Sequence, residues 1–178
     1  MFDAIVVGSG ISGGWSAKEL CERGLKVLLL ERGPDVPHGS GYSYEEASRL
    51  RRRDDQIPQA EIDLHYPYYV GVSYALFNSN KALWASEHDH PYETVPGKPY
   101  RWIRGYQLGG RSLTWGRQSY RWAPQDFLSN LHDGNGVDWP IRYEDLAPWY
   151  DHVEAFAGIS GDYDGLEQLP DGDFLPPF

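Results

Sequence analysis

An α/β fold is predicted by three observations. A short apolar run at residues 2–7 stops at Gly8. Glycines at positions 8, 10 and 13 follow it and open a helix-compatible stretch. A second apolar run, KVLLL at residues 26–30, ends on Glu31. Together they describe a Rossmann-like βαβ unit in about thirty residues. A long irregular insertion then replaces the usual quick return to a strand. No later element closes a sheet, so the fold is expected to be incomplete as it stands, the N-terminal part of something larger.

The elements follow in order. Residues 2–7 are short and β-branched, as a buried parallel strand requires. Residues 12–23 predict a helix with Ala17, Leu20, Cys21 and Gly24 along one face, and Gly24 as terminator. Residues 26–30 predict the second buried strand. From 33 to 99 the pattern degrades. Pro34, Pro37, Gly39 and Gly41 make a loop, and residues 44–53 are compatible with a short helix whose Arg51-Arg52-Arg53 face is solvated. The aromatic tract HYPYYVGVSYALF, 65–77, alternates weakly and is compatible with a strand. Residues 101–104 read as extended, 124–127 as a turn or helix start, and DGNGV at 133–137 as a turn. Residues 148–157 predict a helix with Pro148 in its first turn, Gly158 at its end, and Trp149, Val153, Phe156 and Ala157 on one apolar face. The last eighteen residues hold five acids and no Lys or Arg, and read as a linker or an unpaired strand edge. The expected organisation is 1–33 βαβ unit, 34–100 insertion, 101–160 second glycine loop and helix, and 161–178 acidic linker toward a further domain.

Composition narrows the function. Sixteen basic and 26 acidic residues give a net charge of −10, which disfavours a nucleic-acid or anionic-membrane binder. Cys21 is the single cysteine, so no disulfide framework forms within the chain. No segment approaches the ~20 apolar residues of a membrane span, and nothing resembles a signal peptide. A cytoplasmic protein is the default expectation, or a periplasmic one if it is exported with a partner. Seven Trp and 13 Tyr suit a core, an interface or a stacking surface, and composition does not choose among them.

The chemistry begins at Gly8-x-Gly10-x-x-Gly13. Gly8 permits the turn, Gly10 lets backbone approach a pyrophosphate, and Gly13 lets helix and strand pack closely. Ile11 and Ser12 stand at the helix N-terminus, where unpaired N–H groups and the positive dipole end suit phosphates. Glu31 lies 18 residues past Gly13. There its carboxylate suits ribose hydroxyls and repels a 2′-phosphate. Arg32 either flanks the adenine or is solvated. A second glycine-rich loop, GYQLGGRSLTWGRQ at 105–118, then needs a reason. NAD requires one phosphate loop. FAD is longer and wants a second set of close backbone approaches. Gly109, Gly110 and Gly116 permit them, Ser112 and Thr114 offer hydrogen bonds, and Arg104 or Arg111 offers positive charge. A pair of tight turns without a ligand is the plain alternative.

The segments DAIVVGSGISGGWSAKELCERGLKVLLLERG, RGYQLGGRSLTWGRQSYRW and DWPIRYEDLAPWYDHVEAFAGISG resemble the N-terminal part of the glucose–methanol–choline family of FAD oxidoreductases. They are most similar to bacterial gluconate dehydrogenase and glucoside 3-dehydrogenase large flavoprotein subunits. The resemblance implies an FAD-binding domain of a flavin-dependent oxidoreductase. Such an enzyme oxidises a sugar or polyol CH–OH group by hydride transfer to flavin N5. It implies Gly8, Gly10, Gly13 and Glu31 at the ADP half of FAD, and Arg104, Gly109, Gly110, Ser112 and Gly116 in the flavin-proximal loop. Related pyranose oxidases carry a histidine that bonds covalently to flavin two residues after the serine. Thr114 stands there, so non-covalent FAD is expected. The family's catalytic histidine lies near the C-terminus of much longer chains, so no catalytic residue is expected here, and residues 1–178 alone are expected to be inactive and unable to hold FAD tightly. Implied partners are a sugar or sugar-derivative substrate, the remainder of the flavoprotein, and a small subunit with a cytochrome or another electron acceptor. An NAD-dependent dehydrogenase domain, or a non-catalytic truncated flavoprotein, remains the alternative. His88-Asp89-His90 looks like a metal pair but sits isolated on a polar loop, and no metal is expected. His65, His132 and His152 have no motif around them. The tract 66–84 is read as a substrate lid, a subunit contact or core.

Overall fold

The computed structural model describes residues 1–42 and 55–177. The expected helix at 44–53 and its arginine run lie outside them. The chain divides into two compact units, Met1–Trp115 and Gly116–Phe178.

In the first unit, β1 (Ala4–Val7) pairs in parallel with β2 (Val27–Leu30), Ala4 opposite Val27 and Val7 opposite Leu30. Helix α1 (Ile11–Glu22) makes the crossover. Gly24 ends it as expected. Its φ is +83°, its N–H donates to Cys21 O at 2.9 Å, and Leu25 N–H donates to Leu20 O at 3.1 Å. The strands are less buried than a continuous apolar run suggests. Val6 faces α1, where its Cγ1 would stand 3.3 Å from a Cβ added at Gly13, whereas Ile5 and Val7 are 64% and 81% exposed. An apolar run reports that a strand can be buried on both faces; it does not say how many faces a two-stranded sheet has covered. Cys21, expected on the packed face of α1, is exposed.

The hydrophobic core lies in the stretch that reads as irregular insertion. Ile57, Tyr66, Tyr69, Leu76, Leu83 and Trp84 are buried together. Helix α2 (Gln59–His65) and 3₁₀ turns at Tyr69–Ala75 and Lys81–Leu83 deliver them. The expected strand at 65–77 is therefore absent among the described residues. The buried positions 66, 69 and 76 are spaced by three and seven, which is a helical period and not the strand period of two. Tyr69 meets Tyr66 edge-on at 5.4 Å and Trp84 at 5.7 Å between ring centroids. Its hydroxyl lies 2.8 Å from Ala85 O and 3.1 Å from Arg104 O, which ties the core to the segment before the second glycine loop.

In the second unit, a 3₁₀ turn at Pro124–Leu128 leads into α3 (Ser129–Asp133), and Gly134 ends it with φ +68°. Ala123 and Phe127 are fully buried, and Phe127 sits beside Trp122 and Trp139. Helix α4 spans Tyr143–Ala157 and so starts five residues before the expected Pro148. Its start is set by Asp145, whose carboxylate accepts the Arg142 N–H at 2.8 Å, with Glu144 also acidic in the first turn. The expected apolar face is also displaced. Trp149 and Phe156 are exposed, while Glu154 is the buried residue of the helix. Arg121 explains why: it is buried too, and its Nε donates to Glu154 Oε1 at 2.8 Å. It also pairs with Asp151. Residues 161–177 fold back onto this pair. Asp173 N–H donates to Glu154 Oε2 at 3.0 Å, and Leu175 N–H donates to Ile159 O at 2.7 Å.

Candidate functional site

The turn between β1 and α1 is built for a close neighbour. Gly8 has φ +92° and its N–H donates to Leu30 O at 2.7 Å, so the loop starts from the end of both strands. A Cβ at Gly13 would stand 1.9 Å from Gly8 O, so only glycine lets helix and loop close this way. A Cβ at Gly10 would meet nothing within 4 Å: its backbone looks into open space. The N–H groups of Ile11, Ser12 and Gly13 precede the first intrahelical bond, from Gly14 N–H to Gly10 O at 2.8 Å. No acidic residue occupies the first turn of α1 to oppose an anion there.

The second glycine loop lies directly on the first. Gly109 N–H donates to Ser9 Oγ at 2.9 Å, a bond that spans 100 residues of sequence. Gly109 and Gly110 have φ of +85° and +53°, and a Cβ at Gly110 would stand 3.4 Å from Gly10 Cα. A 3₁₀ turn, Gly110–Leu113, follows, and Thr114 closes it. Between the loops is a cavity of about 500 Å³, walled by Val7, Gly8, Gly10, Ile11, Ser12 and Gly13 on one side and Arg111, Ser112 and Trp115 on the other.

Glu31 stands at the junction. Its Oε2 accepts the Ser9 N–H at 2.9 Å and the Ser9 hydroxyl at 2.5 Å, and its Oε1 accepts the Gly33 N–H at 2.9 Å. The Ser9 hydroxyl, then the Gly33 and Ser9 amides, hold its carboxyl down at about 2 from the ordinary 4.5. Three of about four acceptor sites on a carboxylate are thus taken by the loops themselves. Ser9 is the residue that sequence reading missed: it hydrogen-bonds both Glu31 and Gly109. A lone serine between two glycines carries no signal of that. Gly33 and Tyr106 were missed as well. Gly33 packs against the Tyr106 backbone so tightly that a Cβ would fall 1.6 Å from Tyr106 O. Arg32 lies over the Tyr106 ring at 3.7 Å.

The predicted cofactor residues therefore divide. Gly8, Gly10, Ile11, Ser12, Gly13 and Ser112 line the cavity; Gly109 and Glu31 both bond Ser9, and Gly110 packs against Gly10. Thr114 ends the adjoining turn. Of the two arginines offered as positive charge, Arg111 is in the wall. Arg104 is buried elsewhere in the unit, donating to Glu87 Oε1 at 2.8 Å, Trp102 O at 3.0 Å and Tyr106 OH at 2.9 Å. Gly116 falls in the second unit, where a Cβ would crowd the Gln118 side chain.

The histidines sort differently from their spacing. His90 leaves the HDH run to pack edge-on against Tyr106 at 4.9 Å. His65 takes its place, coming to His88 and Asp89 from the end of α2.

A glycine loop between strand and helix, an open helix N-terminus and an acid at the end of the second strand define a dinucleotide-binding α/β unit. The family described as FAD dependent oxidoreductase (DAO) matches residues 3–140, and the chain belongs to it. FAD is that family's cofactor. The fit rests on the glycine cradle and the open backbone at Gly10. The chain resembles the glucose–methanol–choline oxidoreductases within its relatives. It is 30% identical to paromamine 6'-oxidase from Streptomyces fradiae over 93% of this chain and 25% of that protein. It is 30% identical to the gluconate 2-dehydrogenase flavoprotein from Pantoea cypripedii over 89% of this chain and 25% of that protein. It is 27% identical to the fructose dehydrogenase large subunit from Gluconobacter japonicus over 98% and 29%. The chain thus spans about a quarter of the length of these relatives. Among the described residues no helix is long and apolar enough to cross a membrane.

Proposed function

We propose that the chain is the FAD-binding part of a flavin-dependent oxidoreductase acting on the CH–OH group of a sugar or polyol. One observation carries this reading: the two glycine loops, far apart in sequence, are bonded into the walls of one cavity. The names of the relatives, a sugar-acid dehydrogenase, a ketose dehydrogenase and an aminoglycoside oxidase, support the substrate class. Two of them are named as a flavoprotein or a large subunit, which supports a partner subunit and a separate electron acceptor.

The amides of Ile11, Ser12 and Gly13 would hold the diphosphate, and Arg111 would add positive charge on the opposite wall. Glu31 would receive a ribose hydroxyl while keeping Ser9 in place. Ser112 would contribute a hydroxyl on the flavin side, where Thr114 offers no nucleophilic ring nitrogen and so leaves the cofactor non-covalent. When bound, FAD supplies the two-electron acceptor for the alcohol carbon. The base for the hydroxyl proton is assigned to no residue of this chain.

The test is direct. The full chain is titrated separately with FAD and with NAD⁺, followed by flavin fluorescence and by calorimetry, and the flavin-loaded protein is then precipitated with acid. Saturable FAD binding, no NAD⁺ binding, and release of all flavin into the supernatant are expected. NAD⁺ binding without FAD binding would overturn the reading, and flavin retained in the pellet would refute the non-covalent assignment.

A further inference from the structure

We propose that His65, His88 and Asp89 form a binding site for one divalent transition-metal ion of the zinc class, at the rim of a second cavity in the first unit. One ligand atom from each residue lies within 4.8 Å of the other two. Both imidazole Nδ1 atoms face the Asp89 carboxylate: His65 at 3.7 Å from Oδ2 and His88 at 3.0 Å from Oδ1. Tetrahedral ligands at zinc's 2.0–2.2 Å bond lengths stand roughly 3.3–3.6 Å apart, so the three ligand atoms, all within 4.8 Å of one another, need to contract by only about an ångström to hold one ion. The two rings meet edge-on with centroids 5.4 Å apart. Two imidazoles and one carboxylate suit borderline ions such as Zn²⁺ and Co²⁺ and disfavour Mg²⁺ and Ca²⁺, which prefer oxygen ligands throughout.

The backbone brings these residues together by specific bonds. Glu87 N–H donates to His65 O at 2.8 Å, so the loop carrying His88 and Asp89 is tied to the end of α2. The Ser86 hydroxyl lies 2.7 Å from His65 Nδ1 and accepts the Asp89 N–H at 3.1 Å. Ser86 is buried, so it positions both ligands from beneath; coordination would replace its contact with Nδ1. The side chains of His88 and Asp89 are 57% and 56% exposed, which leaves them free to close on an ion without repacking the core. Three protein ligands leave a fourth position for water or for a group entering the neighbouring cavity. That cavity, about 340 Å³, is lined by Ser86 and Asp89 together with Tyr66, Trp84, His90 and Tyr106. Trp84 Nε1 is buried without a hydrogen-bond partner. This inference does not depend on the flavin reading.

The experiment uses the full chain, freed of any affinity tag and treated with chelator, and titrates it with Co²⁺ in the presence of excess Mg²⁺. One Co²⁺ per chain is expected, with visible ligand-field absorption that Zn²⁺ abolishes and Mg²⁺ does not. His88→Ala and Asp89→Asn, both on exposed side chains and each removing one ligand, should each weaken binding at least about tenfold. His38→Ala should leave it unchanged. Circular dichroism verifies that each variant is folded. No saturable Co²⁺ absorption, or binding unaffected by both His88→Ala and Asp89→Asn, would overturn the proposal.

Discussion

Glu31 shows how much one side chain holds. Its acidity is raised by groups from both sides of the loop, the Ser9 hydroxyl above all. A carboxyl whose folded value is depressed stabilises the folded chain above its unfolded value and loses that contribution as pH falls through the folded one. The window here runs from about 4.5 down to about 2. Urea midpoints should therefore fall with pH across that window more steeply in the wild-type chain than in Glu31→Gln. Equal slopes would mean that the Ser9 and Gly33 bonds are absent in solution. Glu31 and the three glycines of its loop were legible in the sequence because their backbone needs admit few alternatives. Ser9 was not, since its importance comes from Gly109, 100 residues away.

At the scale of elements, the sequence was read best where glycine punctuates it. β1, α1 and β2 fall within two residues of their expected bounds, and Gly24 and Gly158 end their helices with positive φ. It was read worst where a polar pair decides burial. Helix α4 turns Glu154 inward because Arg121 is there to meet it, and no apolar pattern records that. The pair also fixes the tail: a Cβ at Gly172 would lie 2.3 Å from Glu154 Oε2 and 2.7 Å from Arg121 Nη2. Arg121→Ala leaves Glu154 buried and uncompensated and should destabilise the second unit by about 3–5 kcal/mol in denaturant titration. Gly172→Ala should also destabilise it, while leaving the Arg121–Glu154 charges in place. A neutral Arg121→Ala would contradict the assignment of the pair as the centre of that unit.

At the scale of the molecule, the insertion holds the core and the glycine loops hold the site. Tyr69 connects the two, through its hydroxyl to the backbone at Ala85 and Arg104 just ahead of the second loop. The family was legible because three motifs stand in order. That the two glycine loops touch was not, since contact between distant segments leaves no local pattern. The proximity of His65 to His88 and Asp89 was hidden for the same reason: His65 is a helix-end residue in sequence and a neighbour of His88 only in the fold.

The central claim is that the two loops enclose one FAD site with Gly10 open toward it. Gly10 has φ −62° and ψ −179°, a conformation any residue adopts, and no atom stands where its Cβ would project. Gly10→Val should therefore fold, losing no more than about 1 kcal/mol at the helix cap, and fill space the cofactor needs. The measurement is the FAD dissociation constant of this variant against the wild-type chain. A loss of at least about tenfold, ~1.4 kcal/mol, is predicted. Equal affinity in a fully folded Gly10→Val chain would contradict the account.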